Sequence, residues 1–174
     1  MAIRFRMHAE DSLNRGKLEE RGIYRVKLET VKAAESKQGN HMASWMARVI
    51  RGDQEGAVVY GQVMVCNSSG EPYKWSARKW QELFTALGHD REYTTDALKA
   101  GFSDDPADGL PSLQDWAQEH LIGCDGWLEF TPAIGEGSFS ETEWLASSTA
   151  QSRMAIVAEA AAARAEAPDD EIPF

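Results

Sequence analysis

The residues with the plainest chemistry close the sequence. Asp169, Asp170 and Glu171 are followed by Ile172, Pro173 and Phe174, so three acids precede an aromatic ring and a terminal carboxylate. The acids suit a groove rimmed by arginine and lysine, Pro173 lowers the entropy lost when the peptide is ordered, and the Phe174 ring fills an apolar pocket. The α-carboxylate offers an arginine a bidentate target. A solvated acidic terminus would account for the acids alone. It leaves the phenylalanine after Ile-Pro without a use, and the pattern is that of a peptide that docks on another protein.

Catalytic chemistry finds little support. His8, His41, His89 and His120 have no metal-ligand spacing with one another or with the cysteines, and there is no HxE with PCxxC, no GxxxxGK[ST] and no GxSxG. Gly135-Glu136-Gly137 is too short for a phosphate fingerprint and reads as a hairpin turn. Asp104, Asp105 and Asp108 have the chemistry to hold Mg²⁺, but acids around Pro106 and Gly109 more often form a solvated loop. The expectation is a protein that is not an enzyme and carries no metal or cofactor.

The 174 residues are 43% hydrophobic and 26% charged, enough for one domain with a core and an extension. No apolar run is long enough to span a bilayer, and residues 1 to 7 lack a signal-peptide core, so no membrane partner and a cytoplasmic location are expected. Cys66 and Cys124 lie far apart without a CxxC and read as small hydrophobes in a reducing compartment. Charge divides along the chain. Residues 1 to 80 hold 14 Lys/Arg against 9 Asp/Glu, whereas residues 81 to 174 hold 4 against 19. A half able to neutralise phosphates is joined to a half able to repel or mimic them.

The elements that must position these charges follow from periodicity. Residues 22 to 34 alternate, with Tyr24, Val26 and Leu28 on one face and Arg25, Lys27 and Glu29 on the other. A turn at Ser36 to Asn40 leads into a second strand at 41 to 51. Gly52 to Gly56 turns into a third at 57 to 66, with Val59, Val63 and Val65 opposite Val58, Tyr60, Gln62 and Met64. A helix starting at Pro72 carries Trp80, Leu83, Phe84 and Leu87 at helical spacing and stops at Gly88. Residues 89 to 121 are a polar insertion with a short helix near Leu113 to His120. Strands return at 125 to 131 and at Phe139 to Leu145. From Ser147 to Ala167 an alanine-rich helix with the stripe Ala150, Met154, Val157 and Ala161 runs to Pro168; alone it is marginal in water, so the stripe is expected to lean on the sheet or on another subunit.

Three strands, a helix and two strands is the order of the OB-fold, a five-stranded barrel with a helix between strands 3 and 4, here with a C-terminal helical extension. Local sequence resembles phage-encoded single-stranded DNA-binding proteins over roughly residues 20 to 146. The resemblance rests on Gly22-Ile23-Tyr24, Ser36-Lys37-Gln38-Gly39-Asn40, Phe84-Thr85-Ala86-Leu87-Gly88 and Gly126-Trp127-Leu128-Glu129-Phe130. The last six residues resemble the acidic tip of bacterial single-stranded DNA-binding proteins. The N-terminal strand of the cellular proteins and their Gly/Gln/Pro-rich linker have no counterpart, so tetramerisation is not carried over.

The resemblance implies a division into a DNA-binding OB-fold over 1–146, a helical linker over 147–168 and a docking tip over 169–174. It also implies that bases stack on aromatic faces beside a basic groove. Arg25, Lys27, Lys37, Trp45, Arg48, Tyr60, Trp75, Arg78 and Trp127 are the expected DNA contacts. Lys32 flanks the first hairpin and Arg51 belongs to strand two. Trp45 fits stacking and core packing equally, Trp80 reads as core, and Trp144 is open. The implied function is coating of single-stranded DNA during phage replication, recombination or repair in a bacterial cytoplasm, with Asp169 to Phe174 recruiting replication, recombination and repair proteins. The terminal helix and its acidic end are either a cover over the DNA surface or a spacer for the tip. The rival reading is an adaptor or decoy that docks on host replication proteins and binds DNA weakly or not at all. The oligomeric state is open, with a homodimer one option.

Overall fold

The computed structural model describes residues 16–69, 71, 73–89 and 113–166. Its chain order is β1 (Gly22–Glu35), β2 (His41–Val49), β3 (Val58–Cys66), α1 (Ser76–Ala86), α2 (Leu113–His120), β4 (Asp125–Thr131), β5 (Glu141–Leu145) and α3 (Ser147–Glu166). The strands form a five-stranded sheet of order β3-β2-β1-β4-β5 in which every neighbour is antiparallel. Pro72 lies outside the described residues, but Tyr73 to Trp75 are not helical and α1 begins at Ser76, later than the anticipated start.

β1 is long because it serves two partners. Its Val26–Glu35 stretch pairs with β2 and its Gly22–Lys27 stretch with β4. Between them, Leu28 opposes Ala47 while Thr30 opposes the adjacent Met46, so Glu29 is the extra residue of a bulge. A bulge bends its strand and strengthens the local twist. The sheet consequently curls until Trp45 of β2 meets Trp144 of β5 edge to face, with ring centroids 5.2 Å apart. Two strands separate these partners within the sheet, so their contact crosses the interior.

Alternation decides the two faces. Val26, Leu28, Ala43, Trp45, Ala47, Val49, Val59, Val63, Val65, Leu128 and Phe130 point inward and are buried. α1 covers the core with Trp80, Leu83 and Phe84, each fully buried and worth about 1.5–3 kcal/mol for the aliphatic and phenyl side chains. Ser76 ties its first turn to β3 by donating its hydroxyl to the Met64 carbonyl. Its C-terminal end lies against Gly126, where a Cβ would come within 2.5 Å of the Ala86 carbonyl oxygen.

Two expectations are corrected. The sheet is not a closed barrel: β3 and β5 end it on either side and are not hydrogen-bonded to each other. The short β5 and the indole rings between the edges keep the backbones from forming that ladder. Nor is there a single helix plugging one end. α1 packs on β3, β4 and β5, and α2 on β1. Residue boundaries also move, since β5 starts at Glu141 and leaves Phe139 in the β4–β5 loop. In α3, Ala150 is buried and Met154 half-buried, but Val157 is 66% exposed, so the anticipated stripe leaves the sheet after two turns. Cys66 and Cys124 are not joined in a disulfide. No helix among the described residues is long and apolar enough to cross a membrane.

Candidate nucleic-acid interface

The outward face of the sheet follows from its register. Arg25 on β1 lies opposite Trp127 on β4, and Lys27 lies between Asp125 on β4 and Arg48 on β2. Farther along, Thr30, Met46 and Tyr60 form one row across β1, β2 and β3, and Lys32, Ser44 and Gln62 form the next. Five of the expected contacts, Arg25, Lys27, Arg48, Tyr60 and Trp127, therefore share one surface, together with the neighbouring Lys32.

The two arginines on it are already engaged. The Arg25 guanidinium lies 5.3 Å from the Trp127 ring centroid, and its Nε donates to Asp125 Oδ2 at 2.6 Å. Arg48 meets Glu29 as a fork, with Nε donating to Oε1 at 2.6 Å and Nη2 to Oε2 at 3.0 Å, while Nη1 donates to the Gly56 carbonyl at 3.1 Å. The bulge positions Glu29 for this pairing. Hydrogen bonding to Glu29 pushes the Arg48 pKa further up, and the residue staples β1, β2 and the β2–β3 turn together.

Beside these pairs the face sinks into a groove of ≈ 530 Å³, lined by Lys32, Met46, Tyr60, Gln62, Phe139 and Ser140 among others. Tyr60 is 53% exposed and Phe139 is 89% exposed. Lys17 holds its ammonium 5.6 Å from the Tyr60 ring centroid. It is brought there because residues 16 to 18 join the edge of β3: Lys17 bridges Val58 in parallel, and the Leu18 N–H donates to the Val58 carbonyl at 2.9 Å. The groove thus combines aromatic surfaces, a thioether, side-chain amide and hydroxyl groups, and lysines from two segments. Aromatic faces on which unpaired bases can stack, beside cations that can pair with phosphates, are the groups of a single-strand binding surface.

The other expected contacts are scattered. Lys37 is exposed in the β1–β2 hairpin. Trp75, 51% exposed, stacks on Tyr73 at 5.3 Å just before α1. Arg78 lies on α1 and is bonded to Glu82. Trp45 takes the core position of its two options, 3% exposed over Gly61, where a Cβ would fall 2.1 Å from its ring. Trp144 is likewise buried. The peptide Asp169, Asp170, Glu171, Ile172, Pro173 and Phe174 lies outside the described residues. Phe139 and Lys17 were missed by sequence reasoning; an aromatic residue just after the Gly135-Glu136-Gly137 turn was the available signal for the first, whereas Lys17 has no local pattern.

Elsewhere, a cleft of ≈ 480 Å³ gathers Glu129, Glu141 and Glu143 with Lys79 and Arg153, a poor match for phosphate. Arg153 of α3 donates from Nη1 to Glu143 Oε2 at 3.0 Å and from Nη2 to Oε1 at 3.2 Å, and also bonds Glu129. This pairing holds the Glu143 carboxyl below its usual range. Burial and the Asp125 carboxylate push the Cys124 thiol up, opposite to what an activated nucleophile requires. Among the described residues no three His, Cys, Asp or Glu side chains gather as metal ligands.

Comparison with curated proteins returns no match. A family model described as "Protein of unknown function (DUF669)" matches residues 7–100, which include β1, β2, β3 and α1 but not the loop that carries Phe139. The match spans more than half of the sequence, and the chain belongs to that family.

Proposed function

We propose that this protein binds single-stranded DNA with little sequence preference, as an OB-type protein without catalytic activity, and recruits partners through Asp169 to Phe174. The observation that carries the reading is the groove between Tyr60 and Phe139. Two exposed aromatic rings on different elements flank polar side chains, with Lys17 and Lys32 beside them. Every base has a face to stack, so such a surface is tolerant of sequence, and only unpaired bases present that face. The strand order β3-β2-β1-β4-β5 supports the fold assignment, because the OB-fold is a partly open five-stranded barrel whose second and third strands and β4–β5 loop bear the ligand. Replication, recombination and repair are the processes in which a coating protein of this kind works, and phage origin follows from the resemblance stated above.

Titration with poly-dT, followed by tryptophan fluorescence and mobility shift, tests the reading. Binding is expected to grow with DNA length, weaken with salt and be far stronger for single strands than for duplex. Absence of both signals at low salt overturns it in favour of the adaptor, for which the carboxylate-paired arginines on the sheet face would be structural staples alone.

A further inference from the structure

Where a closed barrel would have a ladder, this sheet has a seam between β3 and β5. The seam contains a pocket of ≈ 160 Å³ whose lining includes Trp45, Gln62, Trp75, Lys79, Thr142 and Trp144. Trp45 and Gln62 also line the groove beside Tyr60, so the two cavities adjoin and share a wall. At the far end Trp75 is already stacked on Tyr73, and the Tyr73 N–H donates to the Val65 carbonyl at 3.2 Å, which fixes this aromatic pair at the end of β3. Tyr60 and Val65 are five residues apart on one strand, a span of roughly 16 Å at ~3.3 Å per residue. Trp144 lines the seam, and its indole N–H is buried without an acceptor.

We infer that a single strand held in the groove continues along the open β3–β5 seam onto Trp75, which is a second stacking platform. The inference rests on the DNA reading of the groove and extends it: the unclosed edge of the sheet is part of the binding path. Contact there is led by stacking. Arg78 and Lys79, the nearest α1 cations, are both bonded to Glu82 at 3.1 Å, so they add little net charge for phosphates. A peptide strand pairing with the free edge of β5 is the competing occupant, but the exposed indole, pre-stacked on a tyrosine, presents the flat face on which a base stacks.

The test uses the full chain and labelled oligo-dT of graded length, titrated at several salt concentrations. Trp75→Ala is expected to bind the shortest oligomers like the parent and to lose at least about five-fold in affinity for longer ones, the equivalent of one stacked base. Its salt slope should be unchanged and its site size reduced, with Trp75→Phe restoring most of the loss. Thermal melts of both variants separate this from a folding defect. If Trp75→Ala binds long oligomers like the parent while Tyr60→Ala is weakened, the groove reading stands and the seam path falls. If the parent binds no oligomer, both fall together.

Discussion

Gly61 and Arg48 show how single positions on β2 and β3 divide the work. A methyl group at residue 61 would overlap the Trp45 ring at 2.1 Å, and that ring is wedged against Trp144. Gly61→Ala should therefore destabilise the fold by about 1–3 kcal/mol, the usual cost of overpacking, read as a lower urea midpoint. Arg48 commits all three guanidinium nitrogens to Glu29 and Gly56. Arg48→Ala is expected to lower stability by about 1–3 kcal/mol and to leave the salt slope of DNA binding nearly intact. On the proposed reading, the salt dependence belongs to the lysines at the groove. Lys32→Ala should make the slope of log K against log salt shallower by about 0.7, the increment for one phosphate on a single strand. Tyr60→Ala should cost about 1–3 kcal/mol of binding at every salt concentration. A Lys32→Ala slope equal to the parent's would move the phosphate path away from the groove.

The elements matter through where they are pinned. The bulge in β1 bends the sheet and also delivers Glu29 to Arg48, so one inserted residue has both a geometric and an electrostatic effect. α3 is held by Ala150 and by the Arg153 fork on Glu143 and Glu129, then runs free of the sheet through Val157. The acidic end that a cover would need lies outside the described residues, and among its described residues α3 contributes none to the lining of the groove. Its anchor depends on pH. Glu143 has its folded pKa lowered by the hydrogen bond to Arg153, so the stabilisation is present above the unfolded glutamate pKa and is lost as pH falls through the lowered folded value. Amide exchange in residues 147 to 154 should accelerate below the usual glutamate range, while the amides of β2 hold. In Arg153→Ala the same amides should already exchange fast at neutral pH; equal protection in parent and variant at neutral pH would remove the anchor.

At the scale of the whole molecule the charge split gains a layout. The basic half of the sequence builds β1, β2, β3 and the first turn of α1, whereas the rest of α1, α2, β4, β5 and α3 come from the acidic half. The groove lies where the basic strands meet the β4–β5 loop. The proposed docking peptide belongs to the acidic half, and deleting Asp169 to Phe174 should abolish capture of proteins that read an acidic tip. Phe174→Ala should do nearly the same while keeping the acids, because the ring is what fills the pocket. DNA affinity should rise or stay level in the deletion, since three acids no longer compete for the lysines. Pull-down and oligo-dT titration on the same preparations check both halves, and capture that survives without Phe174 would defeat the docking role.

Sequence alone determined what depends on near neighbours along the chain. Alternation assigned Val59, Val63 and Val65 to one face and Tyr60 and Gln62 to the other, because successive side chains on a strand must point to opposite sides. Helical spacing placed Trp80, Leu83 and Phe84 together in the core for the same local reason. Tertiary structure decided whatever depends on a distant partner. Trp45 had apolar residues on both sides, and only the empty space at Gly61 and the Trp144 ring, 99 positions away, assigned it to the core. Arg25 and Arg48 read as free cations until pairing brought Asp125 and Glu29 to them. Whether the sheet closes was also beyond the sequence pattern. Alternation specifies which side of each strand is buried, but a ladder between β3 and β5 depends on how far the curl brings their backbones together. Here Trp45 and Trp144 meet across the interior before the edges do.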